Sequence, residues 1–155
     1  MTKTDAADRQ TIERFFAAFA ARDGETMAQA YRPEGSFEDP AFGKLTGAQA
    51  GQMWRALMRG AKDFSIESTI RGVEDGAWIV NWVARYTFSK TGRPVINNVQ
   101  SRIWLRDGLI DRQVDKFDFH RWAGQALGLP GRLLGGFSFF QAAITRKARA
   151  GAGIA

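Results

Sequence analysis

The spacing of apolar residues changes partway along this chain, and the change limits the folds open to it. Up to about residue 60 the apolar residues recur every three or four positions, whereas from 64 to 119 they alternate with polar ones. The first period is that of amphipathic helices, and the second is that of strands with one covered face. Helices followed by an antiparallel run of strands predict an α+β fold.

Three helices are predicted before residue 60. The first is marked by an apolar stripe and ends at Asp23-Gly24, a pair that favours a turn. Its stripe consists of Ile12, Phe15, Phe16 and Phe19. A second helix is predicted over 25–31, where Pro33-Glu34-Gly35 ends it before a brief extended stretch at 36–38. The third begins at the capping-box pair Thr46 and Gln49 and ends near Gly60.

Four strands are predicted at 64–71, 77–89, 94–106 and 109–119. The segments between them are rich in the residues that form hairpin turns. These segments are Glu74-Asp75-Gly76, Lys90-Thr91-Gly92-Arg93 and Asp107-Gly108. The resulting antiparallel (mixed) sheet is expected to curve into a cone-like shape against the three helices.

Strand alternation also predicts which side chains lie on the covered face. In the last strand the odd positions include Asp111, Asp115, Phe117 and Phe119, so a carboxylate is expected among apolar side chains. Burial raises the pKa of such a group unless a donor or cation compensates, and this makes Asp115 a candidate acid or base. A structural role, pairing with an arginine or capping the strand end, is the alternative.

Composition and charge exclude several classes of protein. At 155 residues with 45% hydrophobic and 25% charged residues, one globular domain is expected. The chain has no cysteine, which excludes disulfides and thiolate metal sites, and we expect neither a metal nor a cofactor. Without an apolar leader at the N-terminus, a cytoplasmic location is expected.

The net charge of +6 is concentrated at one end of the chain. From Arg121 onward there are five basic residues and no acidic ones, which leaves +1 for everything before. Nucleic-acid binding normally spreads basic residues over the folded face. We therefore expect no nucleic-acid partner.

The last segment, 123–155, reads as a basic, amphipathic helical extension, distinct from a domain at 1–122. A helix is predicted from Ser138 to Arg149, with the final small residues frayed. The apolar residues of the segment require a covering surface, which could be the cone mouth, a dimer partner or an anionic membrane. The first two are favoured over the membrane, because the polar face is short and sparse.

The motifs of the first half and the last strand resemble those of a known superfamily. Four stretches resemble the opening of ketosteroid isomerases and limonene-epoxide hydrolases. They are Arg14-Phe15-Phe16-Ala17-Ala18-Phe19, Arg22-Asp23, Phe37-Glu38-Asp39-Pro40 and Thr46-Gly47. The ending Asp115-Lys116-Phe117-Asp118-Phe119 resembles the closing strand of the hydrolases. With SnoaL-type polyketide cyclases these form the nuclear-transport-factor-2-like (SnoaL-like) superfamily, and the resemblance covers about residues 8 to 122.

The resemblance implies roles for two residues and leaves others unfilled. Asp39 matches the general base of the isomerases, and Asp115 matches the hydrolase carboxylate that protonates the opening epoxide. Phe15 stands at the isomerases' oxyanion-hole tyrosine, and their protonated aspartic acid falls near Gln100 or Ser101. The Arg-x-Asp pair of the hydrolases aligns with Trp82 and Ala84, so neither reaction is expected in its known form.

Together these observations predict an apolar pocket for a small lipophilic molecule, with Asp39 and Asp115 as candidate catalytic residues. The predicted ligand-binding residues are Phe15, Phe16, Phe19, Trp54, Met58, Trp82, Tyr86, Asn97, Val99, Ser101 and Phe117. Three functions remain open: an acid/base enzyme acting on a lipophilic carbonyl or polyketide-like compound, a non-catalytic binder, or a dimeric interaction module. The resemblance also implies a homodimer, because members of this superfamily commonly pair through the convex sheet face, where Ile79 and Trp104 are expected to lie.

Overall fold

The computed structural model describes residues 2–155, which form six helices and six strands. In chain order these are α1 (Lys3–Ala20), α2 (Gly24–Gln29), β1 (Tyr31–Asp39), β2 (Gly43–Thr46), α3 (Gly47–Gly60), β3 (Ser65–Glu74), β4 (Ala77–Phe88), β5 (Arg93–Arg106), β6 (Leu109–Lys116), α4 (Phe119–Leu127), α5 (Leu129–Leu134) and α6 (Ser138–Gly151).

The strands form one curved, unclosed sheet in the order β2-β1-β6-β5-β4-β3. All neighbouring pairs are antiparallel except β1 and β6, which run parallel. Helices α1 and α3 pack their apolar stripes against the concave face, and α2 packs against α3. The predicted α+β fold, with a mixed curved sheet covered by helices, is confirmed.

Two of the hairpins close through the predicted turn residues. Asp75-Gly76 and Asp107-Gly108 have positive φ angles at both positions, 50° and 77° in the first pair and 54° and 77° in the second. Two-residue loops of this kind match the twist of antiparallel strands. The local sequence therefore sets the register of β3 with β4 and of β5 with β6 near the turns.

Strand β1 is longer than predicted, and the second helix is shorter. Tyr31 begins β1, and Pro33 lies inside the strand. The pairing of β1 with β6 shifts register between Tyr31 and Ser36, and a proline is tolerated at such an irregularity because no ladder hydrogen bond is required there. Gly35 passes so close to β6 that a Cβ atom would lie 2.6 Å from the Asp111 carbonyl oxygen.

A bulge in β6 changes the faces predicted for its first residues. Leu105 pairs with Ile110 and Trp104 with Arg112, so Asp111 is left without an opposite residue. Ile110 is fully buried although alternation placed it outward. Asp111, predicted inward, is part-exposed and accepts a hydrogen bond from Arg32 Nη1 at 3.1 Å.

Other boundaries also differ from the predictions. Strand β6 ends at Lys116 and not at Phe119, because Asp118 caps α4 by accepting a hydrogen bond from the Arg121 amide. The helical extension thus begins before residue 123. Strand β2 has only four residues, too few for a period of two to be recognised, and it was not predicted.

The two convex-face residues named for a dimer differ in how much surface they offer. Ile79 is only 4% exposed within the single chain. Trp104 is part-exposed, with the Arg112 guanidinium 4.6 Å above its ring. A homodimer through this face would therefore depend on Trp104 and its surroundings more than on Ile79.

Helix α6 begins at Ser138 as predicted and lies over the mouth of the curved sheet. Phe140 and Ile144 pack against a cluster formed with α4, and Gln141 Nε2 donates to the Pro40 carbonyl oxygen at 2.9 Å. Other apolar residues of the segment, among them Leu133 and Phe139, stay exposed, contrary to the expectation that all would be covered. No helix within residues 2–155 is both long and apolar enough to cross a membrane.

The residues after α6 are packed, whereas the sequence suggested fraying. Ala152 and Ile154 are 9% and 6% exposed, and both join the main core. Gly153 turns the chain with φ at 72°, so that the Ile154 amide donates to the Arg149 carbonyl oxygen at 2.8 Å. Gln52 Nε2 holds the Gly153 carbonyl oxygen at 2.7 Å. These long-range contacts are not visible in the local sequence.

We expect Ile154→Ala to destabilise the protein by about 2 kcal/mol, because it removes a buried aliphatic side chain. Leu133→Ala is the matched control, since Leu133 is 65% exposed, and its effect should stay within about 0.5 kcal/mol. Urea unfolding of both variants measures the difference. Equal stability of the two would show that the packed end does not contribute to the fold.

Candidate functional site

A cavity of about 490 Å³ lies between the concave sheet face and helices α3 and α6. Its wall is mainly apolar and carries several aromatic rings. Its apolar and aromatic lining includes Phe19, Trp54, Met58, Phe64, Trp82, Tyr86, Val99 and Phe117, and its polar lining includes Asp39, Asn97 and Asp115. A space of this size with few polar groups suits a small organic molecule.

Most of the residues predicted for the site border this cavity, but three do not. Phe15 and Phe16 are 1% and 5% exposed and form the core behind the wall. The Phe15 ring packs edge-on against Trp54 at 6.0 Å, which explains its burial away from the cavity. Ser101 lies behind Asp115 and acts on it through a hydrogen bond.

Asp115 is brought to the cavity by the alternation of β6 beyond its bulge. It is 3% exposed, and its Oδ1 accepts hydrogen bonds from Ser101 Oγ at 2.6 Å and Gln113 Nε2 at 2.9 Å. Trp82 Nε1 donates to Ser101 Oγ at 2.8 Å, so the serine hydroxyl proton is directed at the carboxylate. These bonds fix the carboxyl plane.

A buried relay holds Gln113 in the orientation that this arrangement needs. The Tyr31 hydroxyl donates to Gln113 Oε1 at 2.6 Å, and Trp54 Nε1 donates to the Tyr31 oxygen at 2.9 Å. With its oxygen occupied by Tyr31, the Gln113 amide presents its NH₂ group to Asp115. Sequence reasoning missed this role of Gln113, although the glutamine sits on the same odd face of β6 as Asp115.

The second carboxyl oxygen of Asp115 is open to the cavity. Within residues 2–155 every fully buried side-chain nitrogen or oxygen has a hydrogen-bond partner, and Asp115 Oδ2 receives none, so it faces the cavity space. Burial raises the pKa of Asp115 to about 7; the donors from Ser101 and Gln113 lower it, and the charge of Asp39 raises it further.

Asp39 lies at the end of β1, directly before Pro40. Its Oδ1 accepts hydrogen bonds from the amides of Ala41 at 2.9 Å and Phe42 at 2.6 Å, which leaves Oδ2 without a partner among the described residues. Burial raises the pKa of Asp39 to about 6, against the lowering effect of these two amides. A single oxygen of each aspartate is thus available for chemistry.

Strand pairing explains why the two aspartates face the same space. Phe37 pairs with Gln113 and Glu38 with Val114 in the parallel ladder of β1 and β6. Asp39 and Asp115 follow at the next positions of the adjacent strands, on the face that Phe37 and Gln113 share. Residues far apart in sequence are therefore brought side by side by this one register.

Tyr86 supplies a further polar group to the cavity. Trp122 Nε1 of α4 donates to its hydroxyl oxygen at 2.8 Å, so the hydroxyl proton remains available to a ligand. Burial raises the pKa of Tyr86, with the charge of Asp39 as a smaller cause. Trp122 could not be predicted from the sequence, because α4 reaches the sheet only through the tertiary fold.

Helix α6 closes one side of the cavity. The wall includes Ile144, Lys147 and Ala148 of α6 and Ala152 directly after it, and none of them was predicted as a site residue. Arg149 anchors the helix by donating to the carbonyl oxygens of Phe42 at 3.2 Å and Lys44 at 3.1 Å. Residues 2–155 contain no cluster of three histidine, cysteine, aspartate or glutamate side chains suited to a metal ion.

Several solved structures share this architecture at low sequence identity. The putative isomerase from Bacillus subtilis is 20% identical, with a TM-score of 0.66 over 83% of this chain and 96% of that one. A putative polyketide cyclase from Silicibacter sp. is 19% identical, with a TM-score of 0.65 over 77% and 95%. An LEH-like epoxide hydrolase from M. tuberculosis is 20% identical, with a TM-score of 0.61 over 83% and 96%.

At this identity the structural neighbours establish the fold alone. Comparison of the sequence with curated proteins gives no match. The model of the SnoaL-like domain matches residues 12–113, which include all six strands apart from the last residues of β6. The chain therefore belongs to the SnoaL-like domain family.

Proposed function

We propose that the protein catalyses proton transfer on a lipophilic carbonyl compound, an isomerisation or cyclisation of the polyketide type, with Asp39 as base and Asp115 as acid. The observation that carries this proposal is the paired arrangement of the two carboxyl groups. Each has one oxygen fixed by protein donors and one open to an apolar cavity. Such fixed, desolvated carboxyl groups are suited to acid/base catalysis.

The pKa values support a division of roles. At pH 7 Asp39, with a pKa of about 6, is mostly ionised, whereas Asp115, with a pKa of about 7, keeps much of its protonated form. The Asp115 proton resides on Oδ2, since Oδ1 already accepts from Ser101 and Gln113. Asp39 is thus able to accept a proton while Asp115 donates one.

The proposed step balances without a further reagent. Asp39 Oδ2 takes a proton from the carbon beside the carbonyl group, and the C–H electron pair forms a carbon–carbon double bond. The carbonyl π electrons move to oxygen, which receives the proton of Asp115 Oδ2. Return of a proton from Asp39 to another carbon, with Asp115 recovering its own, completes an isomerisation.

The cavity wall indicates the class of substrate. Its aromatic rings favour a flat, largely apolar molecule, and the Tyr86 hydroxyl and the Asn97 amide offer hydrogen bonds to a few oxygen atoms. An aromatic ketone or a polyketide-like compound has these properties. The fold of the putative isomerase and the putative polyketide cyclase is compatible with this class.

A second candidate function, non-catalytic binding of a hydrophobic ligand, is favoured by the residues that replace known catalytic groups. Phe15 stands at the position of the isomerases' tyrosine and is buried in the core, and Trp82 and Ala84 take the place of the hydrolases' Arg-x-Asp pair. The two functions are separated by hydrogen–deuterium exchange at the α-carbon of 2-tetralone, a lipophilic ketone, followed by NMR. Native mass spectrometry of the purified protein would identify any ligand retained from the cell.

We expect Asp115→Asn to slow this exchange by about a hundredfold or more while preserving the fold, since Asn Oδ1 can still accept from Ser101 and Gln113. Because the folded-state pKa of Asp115 is raised, this group lowers the stability of the wild type as the pH rises from about 4 through 7. The asparagine variant lacks this loss and keeps only the smaller one caused by the raised pKa of Asp39. Urea unfolding should show that the asparagine variant becomes more stable relative to the wild type when the pH is raised from 5 to 8. A large loss of stability at pH 8 would make Asp115 structural.

The exchange rate should follow a bell-shaped pH profile, rising near pH 6 as Asp39 ionises and falling near pH 7 as Asp115 loses its proton. Asp39→Asn should abolish the rising limb and most of the rate. Glu38→Gln is the matched control, because Glu38 lies on the opposite face of β1. A rate that is independent of both aspartates would reject the enzyme proposal and leave the binder.

No diol should form from limonene oxide at a measurable rate, because Trp82 and Ala84 supply neither the arginine nor the water-activating carboxylate of the hydrolases. Gas chromatography of the extracted reaction detects the diol. Asp115-dependent diol formation would show that another residue has taken over water activation.

A further inference from the structure

An exposed apolar surface is formed by α5 and the start of α6, away from the cavity wall. Five large apolar side chains in eleven consecutive residues contact solvent. They are Leu129 (65% exposed), Leu133 (65%), Leu134 (37%), Phe137 (54%) and Phe139 (63%), which we call the apolar tip. Such a concentration on the surface of a single chain is typical of an interaction site.

The tip stays exposed because α6 already packs its opposite face against the domain. Phe140, Ile144 and Ala148 of that helix pack against the domain, so rotating it to cover Phe139 would uncover them. The outward stripe of α6 runs through Phe139, Ala142 and Arg146. Its apolar and basic character differs from the mixed polar face usual for a solvated helix.

A basic cleft lies next to the apolar tip. The cleft is lined by Arg93, His120, Arg121 and Arg132. Its one carboxylate is Asp118, which caps α4 by accepting a hydrogen bond from the Arg121 amide. The His120 ring nitrogen Nε2 lies 2.7 Å from the Arg132 carbonyl oxygen, so the cleft and α5 are physically joined. Arg121 and Arg132 are exposed on the same segment as the tip.

The charge of this segment restricts what can cover the tip. Residues 119–155 contain five arginine or lysine residues and no aspartate or glutamate. A second copy of the same surface would bring like charges together and is disfavoured. An anionic lipid bilayer offers both a negative surface for the arginines and an apolar region for the leucine and phenylalanine side chains.

We propose that the apolar tip and the basic cleft dock the protein on an anionic membrane surface. Phe137, Phe139 and Leu133 enter the interfacial region, and Arg121 and Arg132 contact lipid phosphate or carboxylate groups. The sequence favoured the cone mouth or a dimer partner over a membrane, and the inner face of α6 does lie at the mouth, but the tip stays exposed. The basic cleft supplies the charge that the short polar face of α6 lacks. The docking is peripheral and reversible, because the surface contains one short helix and one helix end. It is independent of the acid/base chemistry assigned to the cavity.

Co-flotation of the full chain with vesicles tests this proposal. We expect binding to vesicles of equimolar phosphatidylserine and phosphatidylcholine, weak binding to phosphatidylcholine alone, and release as the salt concentration rises. Phe137→Ser/Phe139→Ser should lower the partition coefficient about tenfold or more. Val73→Ser/Ile96→Ser is the matched control, because both residues are exposed apolar positions of the sheet, and it should bind like the wild type.

The contribution of the cleft is tested by Arg121→Gln/Arg132→Gln against Arg59→Gln/Arg71→Gln, which changes the net charge equally on exposed positions elsewhere. Only the first pair should lower binding, by about tenfold or more. Inorganic phosphate should displace no more protein than sodium chloride at the same ionic strength. The proposal would be overturned if both arginine pairs lost binding alike, or if phosphate released the protein specifically. It would also be overturned by tip-dependent self-association without vesicle binding. Circular dichroism verifies that each variant is folded.

Discussion

The structure depends on covering the aromatic concave face of a curved, unclosed sheet. Leaving Trp82, Val99 and their neighbours in contact with water would cost about 25 cal/mol of folding free energy per Å² of apolar surface. Helices must therefore pack on this face. Helices α1 and α3 cover one part of the face, and α6 closes another. Because the helices do not fill the concave face, a cavity remains between the sheet and helices α3 and α6.

Burial of that face also changes the acidity of the two aspartates beside it. In water Asp39 and Asp115 would be ordinary carboxylates, but the apolar wall raises both pKa values toward neutrality. The hydrogen bonds from Ser101 and Gln113 lessen this rise and hold one oxygen in place. The same packing that stabilises the sheet therefore produces two carboxyl groups with raised pKa values. The relay through Gln113 orients Asp115, and the amides of Ala41 and Phe42 hold one oxygen of Asp39.

The C-terminal segment combines two surfaces of different character. Its inner side, with Phe140 and Ile144, belongs to the core and the cavity wall. Its outer side presents Leu133 and Phe139 to solvent among basic residues. The segment thus contributes to the fold on one side and leaves its other side free for the membrane contact that we propose.

Local chemistry in the sequence determined the elements and most faces: apolar periodicity specified α1, α3 and the long strands, Asp-Gly pairs specified two hairpins, and alternation pointed Asp115 inward. Only the tertiary structure decided what depends on contacts between distant residues. The bulge at Asp111, the extended path through Pro33 and the packing of Ile154 each arise from a partner segment that local pattern cannot reveal. The pairing of the two aspartates likewise required the parallel register of β1 and β6, because that register is set by the whole sheet and not by either strand.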